Sequence, residues 1–378
     1  WSSDVCSSDL ILCHAYSQIN SFSYRKSRGH RLAGRQLKNI VITTPCGMSQ
    51  PELDLYRLRV QSAIDLYFHA TGRSESHKPV LHLDFDEATA VQLTYLMGEI
   101  KNRFLGSAAE AVTIPGRTRT VDELQKRQTF RLASIDIGGG TSDLMIAEYA
   151  PDPADPAIIR QRMLFSEGFS VAGDEIAKRV IEKLILRRIF NWAQQKNPNV
   201  SWEEFQLFFG PGRGGRDKRF HDMKAELCRQ IWIPMAHRHL EFAELDSEDP
   251  DMELSFDRFF PRRLPGSNVL DFFAESMKKD FGCDITLPEI PWEISRTRVN
   301  AVIANVLENI LRIFSEVIAQ FDCDTLILGG KPSSLPIIRE MLVKLMPVPS
   351  ARIIGLKGYS VGSWYPFAQK GGGISAAD

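Results

Sequence analysis

Apolar residues along this 378-residue chain recur with two periods, and the switches between them outline its elements. Asn-Ile-Val-Ile-Thr-Thr at 39–44 is a short β-rich run stopped by Pro45. From about Gln50 to Ala70, Leu53, Leu55, Leu58, Ile64, Leu66 and Phe68 predict a helix that Gly72 ends. Residues 79–85 read as a second strand, and Glu87 to Phe104 as a second helix. Residues 106–129 are polar and irregular, which predicts a loop or linker. Alternation then takes over through 134–147, and Ile158 to Phe165 reads as a further strand. Ile176, Val180, Ile181, Leu184 and Ile185 predict a helix after Gly173, with Asp174 as a candidate cap. Residues 190–295 are the least regular stretch. Helical spacing returns from Val299 to Phe321. A buried strand then runs from Asp324 into Gly329-Gly330, and a helix starts near Leu335 with Pro336 in its first turn.

Composition narrows the setting. With 43% hydrophobic and 25% charged residues, this is a globular chain long enough for two lobes. No apolar run approaches membrane-spanning length, so no transmembrane segment is expected. A net charge of −1 gives no reason to expect nucleic acid as a partner. The cysteines are scattered without a Cys-x-x-Cys pair, which predicts a reduced, cytoplasmic protein. Residues 1–10, with their repeated Ser-Ser-Asp, read as translated sequencing adapter or as a Ser/Asp tail, and are set aside. The closing Gly-Gly-Gly-Ile-Ser-Ala-Ala-Asp suggests a fragment of a longer protein.

The chemistry concentrates in Ser-Ile-Asp-Ile-Gly-Gly-Gly-Thr-Ser-Asp-Leu-Met-Ile-Ala, residues 134–147. A strand carrying Asp136 breaks at Gly138, Gly139 and Gly140, passes Thr141, and resumes with Asp143. That pattern predicts a β-hairpin whose turn presents backbone N–H groups to an anion. Carboxylates repel phosphate, so a divalent cation between them is the natural complement. No Lys follows the last glycine as in a P-loop, and no helix opens as in a dinucleotide fingerprint. The plainer reading is a turn that uses glycine for positive φ. Two other features have bland readings. Gly210 to Arg216 reads as a flexible basic loop, and His237-Arg238-His239 lacks a third metal ligand at suitable spacing.

Further segments follow in the order of the Hsp70/actin ATPase superfamily. Residues 40–72 resemble its first-lobe strand and long helix. Glu87-Ala-Thr-Ala-Val-Gln-Leu resembles its first connecting helix, Asp136 to Asp143 its second phosphate loop, and Leu326 to Leu342 its adenosine motif. Within it, Thr43-Thr-Pro-Cys-Gly-Met-Ser-Gln-Pro, Asp84-Phe-Asp-Glu-Ala-Thr-Ala and Trp364-Tyr-Pro-Phe resemble the bacterial virulence factor SrfB family. The resemblance implies an α/β, actin-like (ribonuclease H-like) two-lobed ATPase with an incomplete first lobe. It divides the chain into a partial first lobe at 11–130, a second-lobe core at 131–189 and 296–378, and an inserted subdomain at 190–295. It implies ATP and Mg²⁺ as cofactors, and possible protein partners beyond the nucleotide. Gly138, Gly139, Gly140 and Thr141 would hold phosphate, Asp136 and Asp143 the metal, and Glu87 and Asp136 the catalytic roles. Gly329 and Gly330 would admit adenosine, with Glu226 and Arg229 as loosely aligned ribose contacts. The superfamily's first phosphate loop is not found in 11–38, and Ala88 stands where Hsp70 has Pro. A small-molecule kinase and a non-catalytic scaffold or filament subunit are the competing readings.

Overall fold

Apolar residues that point alternately to two buried faces explain the centre of the molecule. In β4 (Gln125–Ile137) and β5 (Ser142–Pro151), Phe130, Leu132, Met145, Ala147 and Tyr149 face one apolar cluster. Their alternates Ala133, Ile135, Ile137, Leu144 and Ile146 face another. A sheet buried on both faces needs helices on both sides. The computed structural model is accordingly mixed α/β. It describes residues 5–27, 29, 34–44, 48–70, 78–83, 86–122, 125–210, 218–245 and 249–361.

The chain opens with helices α1 (Val5–Asn20) and α2 (Phe22–Ser27), so helix begins within the residues set aside as adapter. No hairpin lies in 11–27, the helical part of the stretch 11–38 in which a first phosphate loop was sought. Strands β1 (Asn39–Val41) and β2 (Val80–His82) form a small parallel sheet around α3 (Gln50–Ala70), with Ile40, Val60 and Ile64 at its centre. Residues 45–47, 71–77, 84, 85 and 362–378, with Pro45, Gly72, Asp84, Phe85 and Trp364 among them, lie outside the described residues.

Helix α4 (Glu87–Asn102) leaves the small sheet and packs on the large one. Gln92, fully buried, donates to Ser134 Oγ at 2.9 Å and accepts from Tyr149 Oη at 2.7 Å. The segment expected to be a loop at 106–129 instead forms α5 (Ala108–Thr113), β3 (Arg117–Asp122) and the start of β4. Its polarity misleads because β3 buries Arg119 through ion pairs with Asp324, not through apolar contact. Strand β4 runs unbroken through residue 130, where the lobe boundary was expected. Strands β6 (Ile159–Phe169), β9 (Thr325–Gly329) and β10 (Ile353–Gly355) complete the order β10-β9-β4-β5-β6, with β3 paired to β4.

After β6 come α6 (Gly173–Val180), a π-type turn at 181–185 and α7 (Leu186–Lys196). The stretch 190–295 is not irregular. It holds α8 (Trp202–Phe209), α9 (Lys218–Leu227), a second π-type turn at 228–232, α10 (Ile233–Glu244) and α11 (Ser267–Phe281). Strands β7 (Asp251–Leu254) and β8 (Trp292–Ser295) pair beside them. Short helices glued by aromatic rings hide the aliphatic period: Phe209 stacks on Phe281, Phe205 packs on both, and Phe209 also meets Trp232 and Phe273. Gly/Pro-rich residues 211–217 lie outside the described residues. Helices α12 (Arg296–Gln320) and α13 (Pro336–Leu345) flank β9 as the spacing predicts. Among the described residues, no helix is long and apolar enough to cross a membrane.

Candidate functional site

Register assembles the site. Asp136, one residue before the end of β4, lies directly opposite Asp143 on β5 and opposite Gly329 on β9. One row across the end of the sheet thus holds both predicted metal carboxylates and the start of the predicted adenosine turn. Helix α4 adds its first residue. Glu87 N–H donates to Thr44 O at 3.0 Å, tying the helix start to the small sheet. Asp86 caps α4 by accepting from Thr89 N at 2.5 Å.

The glycine turn is fixed from one side. Gly138 N–H donates to Thr141 O at 2.8 Å, so this predicted phosphate donor is already engaged inside the hairpin. Gly138 O accepts from Gly173 N at 3.0 Å, and Gly139 O from Asp174 N at 2.7 Å. Asp174 is therefore not the cap of α6, whose cap position is Ala172; its backbone bolts the turn to the helix. In a planar trans peptide the N–H points opposite to the preceding C=O. The N–H groups of Gly139 and Gly140 therefore face away from α6, and both residues are exposed. They donate to no group among the described residues.

Nothing in the protein requires Gly139 or Gly140 to be glycine, whereas a Cβ on Gly138 would crowd Thr141 O at 3.2 Å. None of Gly138, Gly139 and Gly140 adopts positive φ, so the plain-turn explanation fails. A Cβ on Gly139 would come no closer than 3.7 Å to Asp174 Oδ1, and one on Gly140 would meet nothing within 4 Å. The space before the turn is open.

The carboxylates are uncompensated. Burial, then the charges of Asp143 and Glu87, push the Asp136 carboxyl up to about 6. Burial also raises Asp143, against the pull of the Thr141 hydroxyl at 3.0 Å, and Asp86 raises it further. Burial, Asp143 and Asp86 raise Glu87. Among the described residues no Lys or Arg pairs with Asp136, Asp143 or Glu87. Nor do three His, Cys, Asp or Glu side chains converge closely enough to hold an ion directly. Such a cluster favours a cation that keeps its own water shell, as Mg²⁺ does.

The adenosine side reads differently from expectation. Gly330 has φ +79°, and a Cβ there would lie 2.0 Å from Ile137 O. Its missing side chain is demanded by the seating of this turn on the end of β4, whatever approaches from outside. Glu226 and Arg229 pair with each other at 2.6 Å on an exposed face. They lie four to five turns, about 22–27 Å, along the helix from the residue that does reach this turn. That residue is Glu244, at the end of α10, which accepts from Lys331 at 2.8 Å and also from Lys357. In the sequence it is one of several acids between Glu241 and Glu253, with nothing to single it out. His237 and His239 lie on a helix, not a strand, and His239 is buried with Nδ1 2.8 Å from Met235 O.

The family model for virulence factor SrfB matches residues 7–375, and the chain belongs to that family. No curated protein matches it.

Proposed function

We propose that this SrfB family member binds ATP with Mg²⁺ at the Asp136–Asp143 edge, hydrolyses it slowly, and uses the cycle as a conformational switch in an actin-like ATPase core. The observation that carries this reading is the turn at Gly139 and Gly140, with outward N–H groups, open space, and no conformational need for glycine. In this reading those N–H groups and Thr141 hold phosphate oxygens. Asp136 and Asp143 hold the metal through its waters, and Mg²⁺ supplies neutralisation of the phosphate charge. Glu87, delivered from α4 beside the row, orients the attacking water. Only one phosphate turn is evident among the described residues, so affinity in this chain is expected to be weak.

Gly140→Val tests the reading cleanly, because its side chain enters open space and leaves the fold intact. Thermal unfolding at about 10 mM MgATP should show ligand stabilisation of the parent sequence and its loss in the variant, with unchanged melting without nucleotide. Equal stabilisation of both would return the turn to a plain hairpin. Gly330→Val is no substitute, since its clash with Ile137 O would disturb the sheet itself.

A further inference from the structure

A separate cleft of about 520 Å³ runs along the second π-type turn and α10 beneath the segment Phe259 to Pro265. It begins one helical turn from Glu244, on the same helix, and extends away from the glycine turn. Its chemistry is unlike that of the carboxylate edge. Arg229, Arg238, Arg262 and Arg263 line it, with His237 between them. Its acids are spoken for: Glu241 pairs with Arg238 at 3.0 Å, and Glu226 pairs with Arg229. Arg262 and Arg263 are exposed and pair with no acid among the described residues, so the cleft keeps an excess of guanidinium charge in a chain whose net charge is −1. Arg238 Nε is buried and likewise has no acceptor among the described residues.

The covering segment is built to stay in place. Phe259 and Phe260 root it in the core. At its other end Gly266 N–H donates to Gln230 Oε1 at 3.0 Å, and Gln230 is itself held by Glu226 at 2.6 Å. Pro261 and Pro265 restrict the backbone between these anchors. The backbone that carries Arg262 and Arg263 is thus held over the helix before any ligand arrives, which lowers the entropic cost of binding. Between the charges the surface is apolar: Ile233 is 40% exposed and Leu264 58% exposed, and Pro234 and Pro261 join them.

Guanidinium groups select carboxylates and phosphates by paired hydrogen bonds. The apolar floor and the volume exceed what inorganic phosphate would use. A nucleic acid would need a basic track, and this is one short cleft. An extended peptide fits best, because it presents carboxylates on one side every ~6.8 Å and side chains of the alternate residues on the other. We propose that this cleft docks an extended acidic segment of a partner protein, with apolar residues interleaved among its carboxylates.

The probes are pools of labelled dodecapeptides passed over the immobilised chain at about 150 mM salt. One pool alternates Glu or Asp with randomised Leu, Val, Phe and Pro; a second replaces the acids by Lys; a third replaces the apolar residues by Ser. The first pool should be retained, the third at least tenfold less, and the second not at all. Arg262→Glu with Arg263→Glu, both on exposed positions, should reduce retention of the first pool at least tenfold without altering circular dichroism or melting. Ile233→Ser should reduce the preference of the first pool over the third. The proposal is overturned by no retention at about 1 mM peptide, by retention that survives the double charge reversal, or by displacement of the peptide with MgATP. The last result would make the cleft part of the nucleotide site. Failure of the nucleotide reading alone leaves these outcomes unchanged.

Discussion

Buried acids lie beside two stretches of strand β4, and the two stretches treat them in opposite ways. Beside its first half, Asp324 is fully buried. It is gripped by Arg119 through two bonds of 2.9 and 3.0 Å, by Arg117 at 2.9 Å, and by the Arg131 backbone N–H at 2.8 Å. At the far end burial raises the proton affinity of Asp136, Asp143 and Glu87, neighbouring carboxylates add to it (Asp143 and Glu87 on Asp136, Asp86 on Asp143, Asp143 and Asp86 on Glu87), and no cation among the described residues answers them. The same fold therefore neutralises a buried carboxylate where only stability is at stake. It leaves a cluster unneutralised beside an open glycine turn. Groups held at a cost to the fold mark functional sites more reliably than groups that are satisfied.

The largest effect should come from the satisfied end. Arg119→Met leaves Asp324 buried with its best partner removed, and should cost about 3–5 kcal/mol in urea unfolding. Adding Asp324→Leu should recover much of that loss, because two apolar residues replace a buried pair at little penalty. A single variant that costs under ~1 kcal/mol would show that Asp324 is not held as the geometry indicates.

The opposite sign is expected at the other end. Asp136 has a folded pKa near 6, above its ordinary 3.8, so the folded state binds more protons between these values. Stability therefore falls as pH rises through that window, and the loss persists at pH 7. Asp136→Asn should stabilise the ligand-free protein at pH 7 by up to about 3 kcal/mol and flatten the slope between pH 4 and 6. The same variant should lose Mg²⁺-dependent stabilisation by ATP. Destabilisation by Asn would remove the contrast between the two ends.

Glu87→Gln separates chemistry from binding. The amide keeps the shape but not the charge, so nucleotide stabilisation should persist while any turnover falls about 10²-fold. A parallel loss of both would make Glu87 a helix-start residue serving the dipole of α4.

Local patterns in the chain account for much of this contrast. Alternation places the hairpin, and helical spacing places α3, α4, α12 and α13 closely. The pairing of Asp136 with Asp143 follows from a turn that closes between Gly138 and Thr141, and Glu87 is marked by resemblance. What local patterns cannot convey is long-range pairing. Arg119 looks like a loop residue until Asp324, far along the chain, is placed beside it. Gly139 and Gly140 cannot be told from Gly138 until the first turn of α6 takes the carbonyls on one side of the turn. The aromatic packing of α8 and α11 spreads one core over distant segments, so no local window shows its period.

Glu244 supplies the smallest and most discriminating test, because it is a partly exposed acid near the site that does have cations. Burial tends to raise its pKa, but hydrogen bonds from Lys331 and Lys357 outweigh this and bring it down to about 2. A depressed carboxylate contributes stability above its unfolded value, near 4.5, and loses it as pH falls toward 2. Since the side chain is 19% exposed and both lysines are more so, solvent screening reduces the contribution to about 1 kcal/mol. Glu244→Gln should therefore lower melting at pH 7 by only a few degrees. It should also remove the part of the acid-induced loss that lies between pH 4.5 and 2. Its effect has the sign of Arg119→Met and opposes that of Asp136→Asn, although Glu244 lies next to the Gly329–Gly330 turn and Arg119 at the far end of the sheet. That pattern would show that compensation by cations, not position along the sheet, separates the two kinds of acid. An unchanged pH slope in Glu244→Gln would instead mean that the two lysines hold α10 to the turn without electrostatic consequence.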